Sequence, residues 1–370
     1  MNSELPVTLE LRRNDYTLSE EQVELRQAVR DLFAKHSPME TVRRSEPLGF
    51  DEALWEILGR NGVLGLGLSE DLGGEGGGVV ELSLVGMEAG RALAPAPLID
   101  HLVALRLLAA VRDAGIDVPV DWESARVGSS LLSLAPISEW TLGRELVPGG
   151  AVASSVFAFK DENLIVLSRS ERAPQATNPG GAPLAWWDPR DPSVDTTAVV
   201  GGPTAKRLWS HAVQEWKVGT AAMLVGLAEG ASEIARQYAL EREAFGVPIA
   251  KFQAISHALV DLYIDTTTAR NLTLKAAWMT EHEPGFRPEL PAMALAHAAD
   301  IAVRGVANGL HVHGGFGITL EADISVYYRR AAAWASVAGG SGRLVDEVAA
   351  SIERHLEARS QRPAAAPAGA

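Results

Sequence analysis

Long apolar periodicity at helical spacing is the feature that most limits what this chain can fold into. It runs through residues 213–243, 253–281, 290–313, 322–338 and 342–358. Several of these segments exceed the common helix length, and such helices bury an apolar stripe by packing antiparallel against one another. The C-terminal part, residues 209–358, is therefore expected to be a helical bundle. No short repeat of a solenoid kind interrupts it.

The N-terminal part also reads as helices. Ser19-Glu20-Glu21-Gln22 has the capping-box pattern, with Ser19 as N-cap and Gln22 three residues on. Val23, Ala28, Val29, Leu32 and Phe33 then fall near one face. A second helix is predicted over residues 52–60, stopped by Asn61-Gly62. The glycine-rich stretch 72–78 must be a loop, and helices resume over 80–93 and 98–114, separated by Pro95 and Pro97.

The middle of the chain changes character. Residues 127–134, 151–159 and 163–168 are short, apolar or β-branched, and bounded by Gly, Pro and Asp, so they read as strands. Residues 171–192 read as loop and 196–200 as one more strand. The expected order is a helical domain over residues 16–125, a small β domain over 126–208, the bundle over 209–358 and a disordered tail over 359–370. The fold class is mostly α with a small middle β domain.

Composition narrows the function. The formal charge is −14, from 47 acidic and 33 basic residues, which argues against nucleic acid as a main partner. Cysteine is absent, so no disulfide, thiolate metal site or cysteine nucleophile is available. The first residues lack the apolar core of a signal peptide, and apolar stretches such as 102–111 are broken by Arg106 and too short to cross a bilayer. A cytoplasmic protein without membrane insertion is expected.

Two segments stand out chemically. In residues 242–253, Gly246 and Pro248 end one long helix and Gln253 starts the next. A cation in a last turn, Arg242, then lies near free N–H groups at a helix N-terminus, an arrangement that suits an anion such as a pyrophosphate. On spacing alone, the simpler reading is a helix connection in which Arg242 caps carbonyls. In residues 311–321, His311, His313, Gly314, Gly315 and Gly317 fill a tight break between helices. The glycines permit close backbone approach to a ligand, or simply satisfy a turn. No carboxylate stands at a metal-binding spacing from the two histidines, so no metal is expected.

Together these segments resemble the C-terminal bundle of the acyl-CoA dehydrogenase family. That family shows an Arg-x-x-Phe-Gly-x-x-Ile-x-x-Phe-Gln segment, then Gly-Gly-x-Gly, then an Arg-Arg or Arg-Asp helix; the last corresponds to Tyr327-Tyr328-Arg329-Arg330-Ala331 here. Trp55 to Gly62, Glu70-Asp71-Leu72-Gly73-Gly74 and Glu88-Ala89-Gly90-Arg91 resemble its first helical domain. The resemblance implies α,β-desaturation of an acyl-CoA thioester, FAD as cofactor, and an acceptor such as electron-transferring flavoprotein. It also implies that Arg242, Phe245, Gln253, Gly314 and Gly315 contact the FAD of a neighbouring subunit, with His311 where the family usually has glutamine.

The departures are informative. The family's glutamate base most often follows the Arg-Arg helix, and Ala338 falls at that position. Its other position is a Glu before an Arg; counting back from Arg242 gives Trp216-Lys217, with Glu215 one residue off. One residue turns a side chain about 100° around a helix, so Glu215 serves only if the helix start is irregular. Residues 135–144 do not match the segment that normally covers the flavin ring, and the middle domain reads as shortened. This pattern resembles the non-catalytic subunits of α2β2 actinobacterial enzymes for steroid-derived thioesters. The alternatives are a self-sufficient homotetramer using Glu215, a flavin-free structural partner, and an oxidase on the same scaffold.

Overall fold

The computed structural model describes residue 15, residues 17–137, residue 140, residues 143–337 and residues 339–360. The N-terminal helices are α1 (Glu20–His36), α2 (Met39–Arg44), α3 (Glu52–Arg60), α4 (Val79–Arg91), α5 (Leu98–Asp113) and the short α6 (Trp122–Arg126). The capping box at Ser19 forms as expected: its hydroxyl accepts from Gln22 N–H while the Gln22 side chain accepts from Ser19 N–H. Helix α3 has the bounds expected from sequence, with Asp51 as N-cap and Gly62 left-handed just past its end.

The middle region is β1 (Leu132–Leu134), β2 (Glu145–Val147), β3 (Ser155–Lys160), β4 (Asn163–Ser168), β5 (Ala185–Trp187) and β6 (Asp195–Gly201). A four-stranded sheet has the order β1-β3-β4-β6, with β1 parallel to β3 and the other pairs antiparallel. β2 and β5 form a separate antiparallel pair. Only β4 keeps its expected bounds. The strand expected over 127–134 shrinks to three residues, because α6 and Gly128 (φ +82°) turn the chain first. The strand expected over 151–159 begins only at Ser155, and the expected loop 171–192 contains β5.

The bundle comprises α7 (Gly202–Glu241), α8 (Gln253–His282), α9 (Leu290–His313), α10 (Asp323–Val337) and α11 (Gly340–Ser360). Helix α7 starts 11 residues before the expected start at 213, with Pro203 in its first turn. Its 40 residues run about 60 Å and tie the regions together, packing on α4, α5, α8, α9 and the sheet. Helix α11 continues two residues into the stretch expected to be tail; residues 361–370 lie outside the described residues.

Two helical segments, Gly202–Glu241 and Leu290–Ile318, are long and apolar enough by length and composition to cross a membrane. This corrects the expectation that no apolar stretch reaches that length. Most of each apolar window is buried inside the fold, where it packs as bundle core.

At the α4–α7 crossing the two helix backbones lie very close. A Cβ on Gly90 would lie 1.9 Å from the Met223 carbonyl oxygen, and one on Gly226 would lie 1.8 Å from that of Met87. Only glycine allows the two backbones so close. Around this crossing a charge cluster is sealed: Glu88, 1% exposed, accepts from Arg26 and Arg30, and Glu229 pairs with Arg270.

Candidate functional site

The structure gathers the two sequence segments at one end of the bundle. Tyr238, in the last turns of α7, stacks on His313 at 4.2 Å and on Phe316 at 6.3 Å. The expected direct connection between α7 and α8 is instead a miniature hairpin, Glu243–Ala244 against Val247–Pro248. Its two turn residues, Phe245 (φ +54°) and Gly246 (φ +79°), are both left-handed, the requirement of a tight two-residue hairpin turn.

That turn holds Phe245 in an unusual state. Its side chain is 97% exposed, touching the edge of Phe252 at 6.1 Å. A non-glycine residue in the left-handed region costs roughly 1 kcal/mol, and burial does not offset it here. Arg242 closes α7 through its backbone; its exposed guanidinium has no hydrogen bond or ion pair among the described residues, so it does not cap the helix carbonyls. Gln253 is exposed at the start of α8.

The glycine segment lies open as well. A Cβ on Gly314 or Gly315 would meet no atom within 4 Å, and Gly314 is left-handed at φ +60°. His311 is exposed, whereas His313 is buried against Tyr238 with Nδ1 2.8 Å from the Gly309 carbonyl. Among the described residues no group of three metal-ligating side chains occurs. Phe316, Ile318 and Leu320 extend the exposed apolar surface.

The carboxylate positions tell a different story. Glu215 sits inside regular α7 and is 2% exposed. Arg106 on α5 clamps both oxygens, through Nε at 3.0 Å and Nη2 at 2.7 Å, and His211 Nε2 stands 3.3 Å away. Burial alone would raise the Glu215 pKa, but the Arg106 charge and the hydrogen bonds from His211 and Arg106 pull it down to about 2. A carboxylate so stabilised as an anion is a poor proton acceptor.

The turn from Glu215 to Trp216 changes the surroundings completely. Glu215 borders an open groove with Arg106 and His211, while Trp216 borders a cavity of about 80 Å³ between α5, α7 and α10. Trp216 Nε1 donates to Asp100 Oδ1 at 2.8 Å. Asp100 also borders this cavity, and burial pushes its pKa up to about 6 despite the Trp216 hydrogen bond. Arg330, another lining residue, is fully buried and donates from Nη1 to the Leu93 carbonyl at 2.6 Å.

Sequence reading overlooked three of these residues. Asp100 stands in the first turn of α5, where an acidic residue passes as a helix-end charge. In the sequence Arg106 shows only as a break in an apolar stretch, and Arg330 only as half of an Arg-Arg pair. A charged residue on a face that is otherwise apolar was the available signal at both arginines. Ala338 lies outside the described residues, as do Ser138, Glu139, Thr141 and Leu142 of the segment expected to depart from the flavin-covering pattern.

Comparison with known proteins agrees with this architecture. Residues 19–112 match the acyl-CoA dehydrogenase N-terminal domain and residues 208–353 the acyl-CoA dehydrogenase C-terminal domain. The acyl-CoA dehydrogenase IpdE2 of Mycobacterium tuberculosis is 31% identical over 327 residues, covering 85% of this chain and 92% of that one. A variant of the Tcur3481-Tcur3483 steroid ACAD superposes with a TM-score of 0.78 at 24% identity, over 92% of this chain and 100% of the other. The ChsE4-ChsE5 complex from Mycobacterium tuberculosis gives a TM-score of 0.76 at 24% identity, over 95% and 100%. With helices, sheet and bundle in matching order over nearly the whole length, this chain belongs to the acyl-CoA dehydrogenase family.

Proposed function

We propose that the chain is a subunit of a flavin-dependent acyl-CoA dehydrogenase that completes the FAD site of a homologous catalytic subunit in an α2β2 assembly. The observation that carries this reading is the open end of the bundle. There stand Arg242, its guanidinium unpaired among the described residues, a 97% exposed Phe245 three residues on, Gln253 at a helix N-terminus and uncovered backbone at Gly314 and Gly315. This set fits FAD: a cation and a helix N-terminus for the pyrophosphate, an aromatic face for a ring, and glycine backbone that lets either approach closely. His311, exposed at the same end, is one more donor toward it.

Bound flavin supplies the hydride acceptor for α,β-desaturation. The chain's own residues do the rest of what is visible here: Arg242 and Gln253 orient an anion, and Phe245, Phe316 and their apolar neighbours exclude water once covered. Glu215 does not remove a proton in this reading, because Arg106 holds it as a stable anion. The base comes from the partner. An acyl-CoA thioester is the substrate and electron-transferring flavoprotein the acceptor; the steroid enzymes among the structural neighbours favour steroid or lipid catabolism, in the cytoplasm.

The test is flavin content per chain, read from the visible absorbance spectrum of the protein expressed alone and with its partner. Little flavin alone and near-stoichiometric flavin in the complex is the expected result. Full flavin and turnover from the chain alone would establish the self-sufficient homotetramer instead. No flavin in either preparation would leave a structural partner, and oxygen consumption with acyl-CoA would point to an oxidase.

A further inference from the structure

The cavity beside Trp216 is lined mainly by apolar atoms, including Ile99, Leu224, Trp216 and Trp334, yet it carries two ionisable groups, Asp100 and Arg330. Arg330 is 0% exposed, and among the described residues its Nε and Nη2 make no hydrogen bond. Glu46, the nearest carboxylate, is 3.9 Å from Nη2 and is held through both oxygens by Arg329 at 3.1 Å. Buried guanidinium N–H groups without acceptors are costly, so something is expected to accept from them.

The position of the free groups narrows what that is. Nη1 is used by the Leu93 carbonyl. Nε and Nη2 share the other edge of the planar guanidinium, and that edge matches the two oxygens of a carboxylate. The apolar walls suit a hydrocarbon leading up to it. We propose that this cavity is a specificity subsite in which the free Nε–Nη2 edge of Arg330 receives a carboxylate at the distal end of a short acyl group. Asp100, which lines the same cavity, opposes a second anion and sets how strongly such a group is held. The substrate class is then an acyl-CoA whose acyl chain ends in an acid. This rests on the proposed acyl-CoA substrate and adds that this chain, besides completing the partner's FAD site, itself holds an acyl end.

The test uses the full chain and its own tryptophans, since two of its nine, Trp216 and Trp334, line the cavity. Quenching of their fluorescence is titrated with succinyl-, glutaryl- and adipoyl-CoA, each paired with the neutral thioester of equal chain length. At least one acidic ester should bind roughly tenfold tighter than its neutral pair, the scale of a charge-assisted bidentate contact. Arg330→Met should erase that preference while leaving the neutral ester within about twofold, and Arg330→Lys should restore only part of it, because ammonium lacks the two-donor edge.

Equal binding of acidic and neutral esters at every length, or a preference that survives Arg330→Met, would overturn the subsite and leave the acyl-CoA reading standing. Failure of every thioester to bind would also overturn the subsite, while flavin content alone and in the complex decides the proposed function separately. Arg330 also holds the Leu93 carbonyl, so its replacement risks misfolding; Asp100→Asn supplies the second arm. Removing that charge at pH 8 should tighten the acidic ester several-fold and not the neutral one. An unchanged acidic affinity would overturn the proposal as well.

Discussion

Glycine does opposite work inside the bundle and at its open end. Where the middle of α7 crosses α4, Gly226 and Gly90 are spacers that let two helix backbones touch, and any side chain there would strike a carbonyl. Beyond the C-terminus of α9, near the last turns of α7, Gly314 and Gly315 face nothing within 4 Å. The crossing is also where charges are sealed, as at Glu88 and Glu229, whereas at the open end Arg242 has no partner among the described residues and Phe245 is in water. The first region is finished within one chain. On the proposed function the second is an interface, and large exposed apolar surfaces commonly mark one.

The sharpest way to break this contrast is Gly226→Ala. The added methyl would sit within 2.8 Å of three backbone atoms of Met87, so the helices must separate rather than a side chain move. Overpacking costs about 1–3 kcal/mol where side chains can adjust. Here the loss should reach about 3 kcal/mol or more, read from the urea midpoint. A loss below about 1 kcal/mol would mean the crossing is looser than it stands here.

How much of this was legible depended on how local the cause was. The Ser19 capping box, the α3 bounds and strand β4 all rest on neighbours within a few residues, and the structure reproduces them. Strand β5 was missed because it is three residues long and its partner β2 lies some forty residues upstream. The start of α7 was missed because Gly201-Gly202-Pro203 reads as a loop when isolated, although Pro in a first turn is a helix-start signal. The clamp on Glu215 joins residues 109 apart, and no periodicity shows it. The open end was legible as motifs; the hairpin that lifts Phe245 into solvent was not.

A second, somewhat smaller effect tests the sealed charges. Arg106→Met leaves Glu215 buried with only His211 beside it. Removing one partner of a buried pair costs about 3–5 kcal/mol, and His211 should reduce this to about 2–3 kcal/mol. The pH dependence has a definite sign. Glu215 is depressed from 4.5 to about 2, so its contribution is fully present above pH 4.5 and is lost as pH falls toward 2. Acid unfolding of the native chain should therefore steepen in that window, by on the order of 3 kcal/mol in total. Arg106→Met should lose this window, because burial without the arginine raises the Glu215 pKa, and a combined Arg106→Met, Glu215→Gln protein should regain stability at pH 7. If Arg106→Met unfolds in acid just as the native chain does, the pair is not what keeps Glu215 ionised.

The smallest effect on stability should come from the open end, and it is the one that separates a finished surface from an unfinished one. Gly315→Ala meets no neighbouring atom, and Phe245→Ala removes a ring that touches only the edge of Phe252. Each should shift the unfolding free energy of the isolated chain by no more than about 0.5 kcal/mol. On the proposed function the same changes should lower flavin retention and assembly with the partner: a methyl on Gly315 would take up space where the cofactor approaches the backbone, and loss of the Phe245 ring would remove the face it covers. Both readouts are needed on one preparation: denaturation of the free chain, then flavin content and sedimentation of the complex. Stability unchanged with assembly lost assigns this end to the partner. If Phe245→Ala instead destabilises the free chain by more than about 1 kcal/mol, the ring is structural in a single chain, and the left-handed turn that exposes it is stabilised from within.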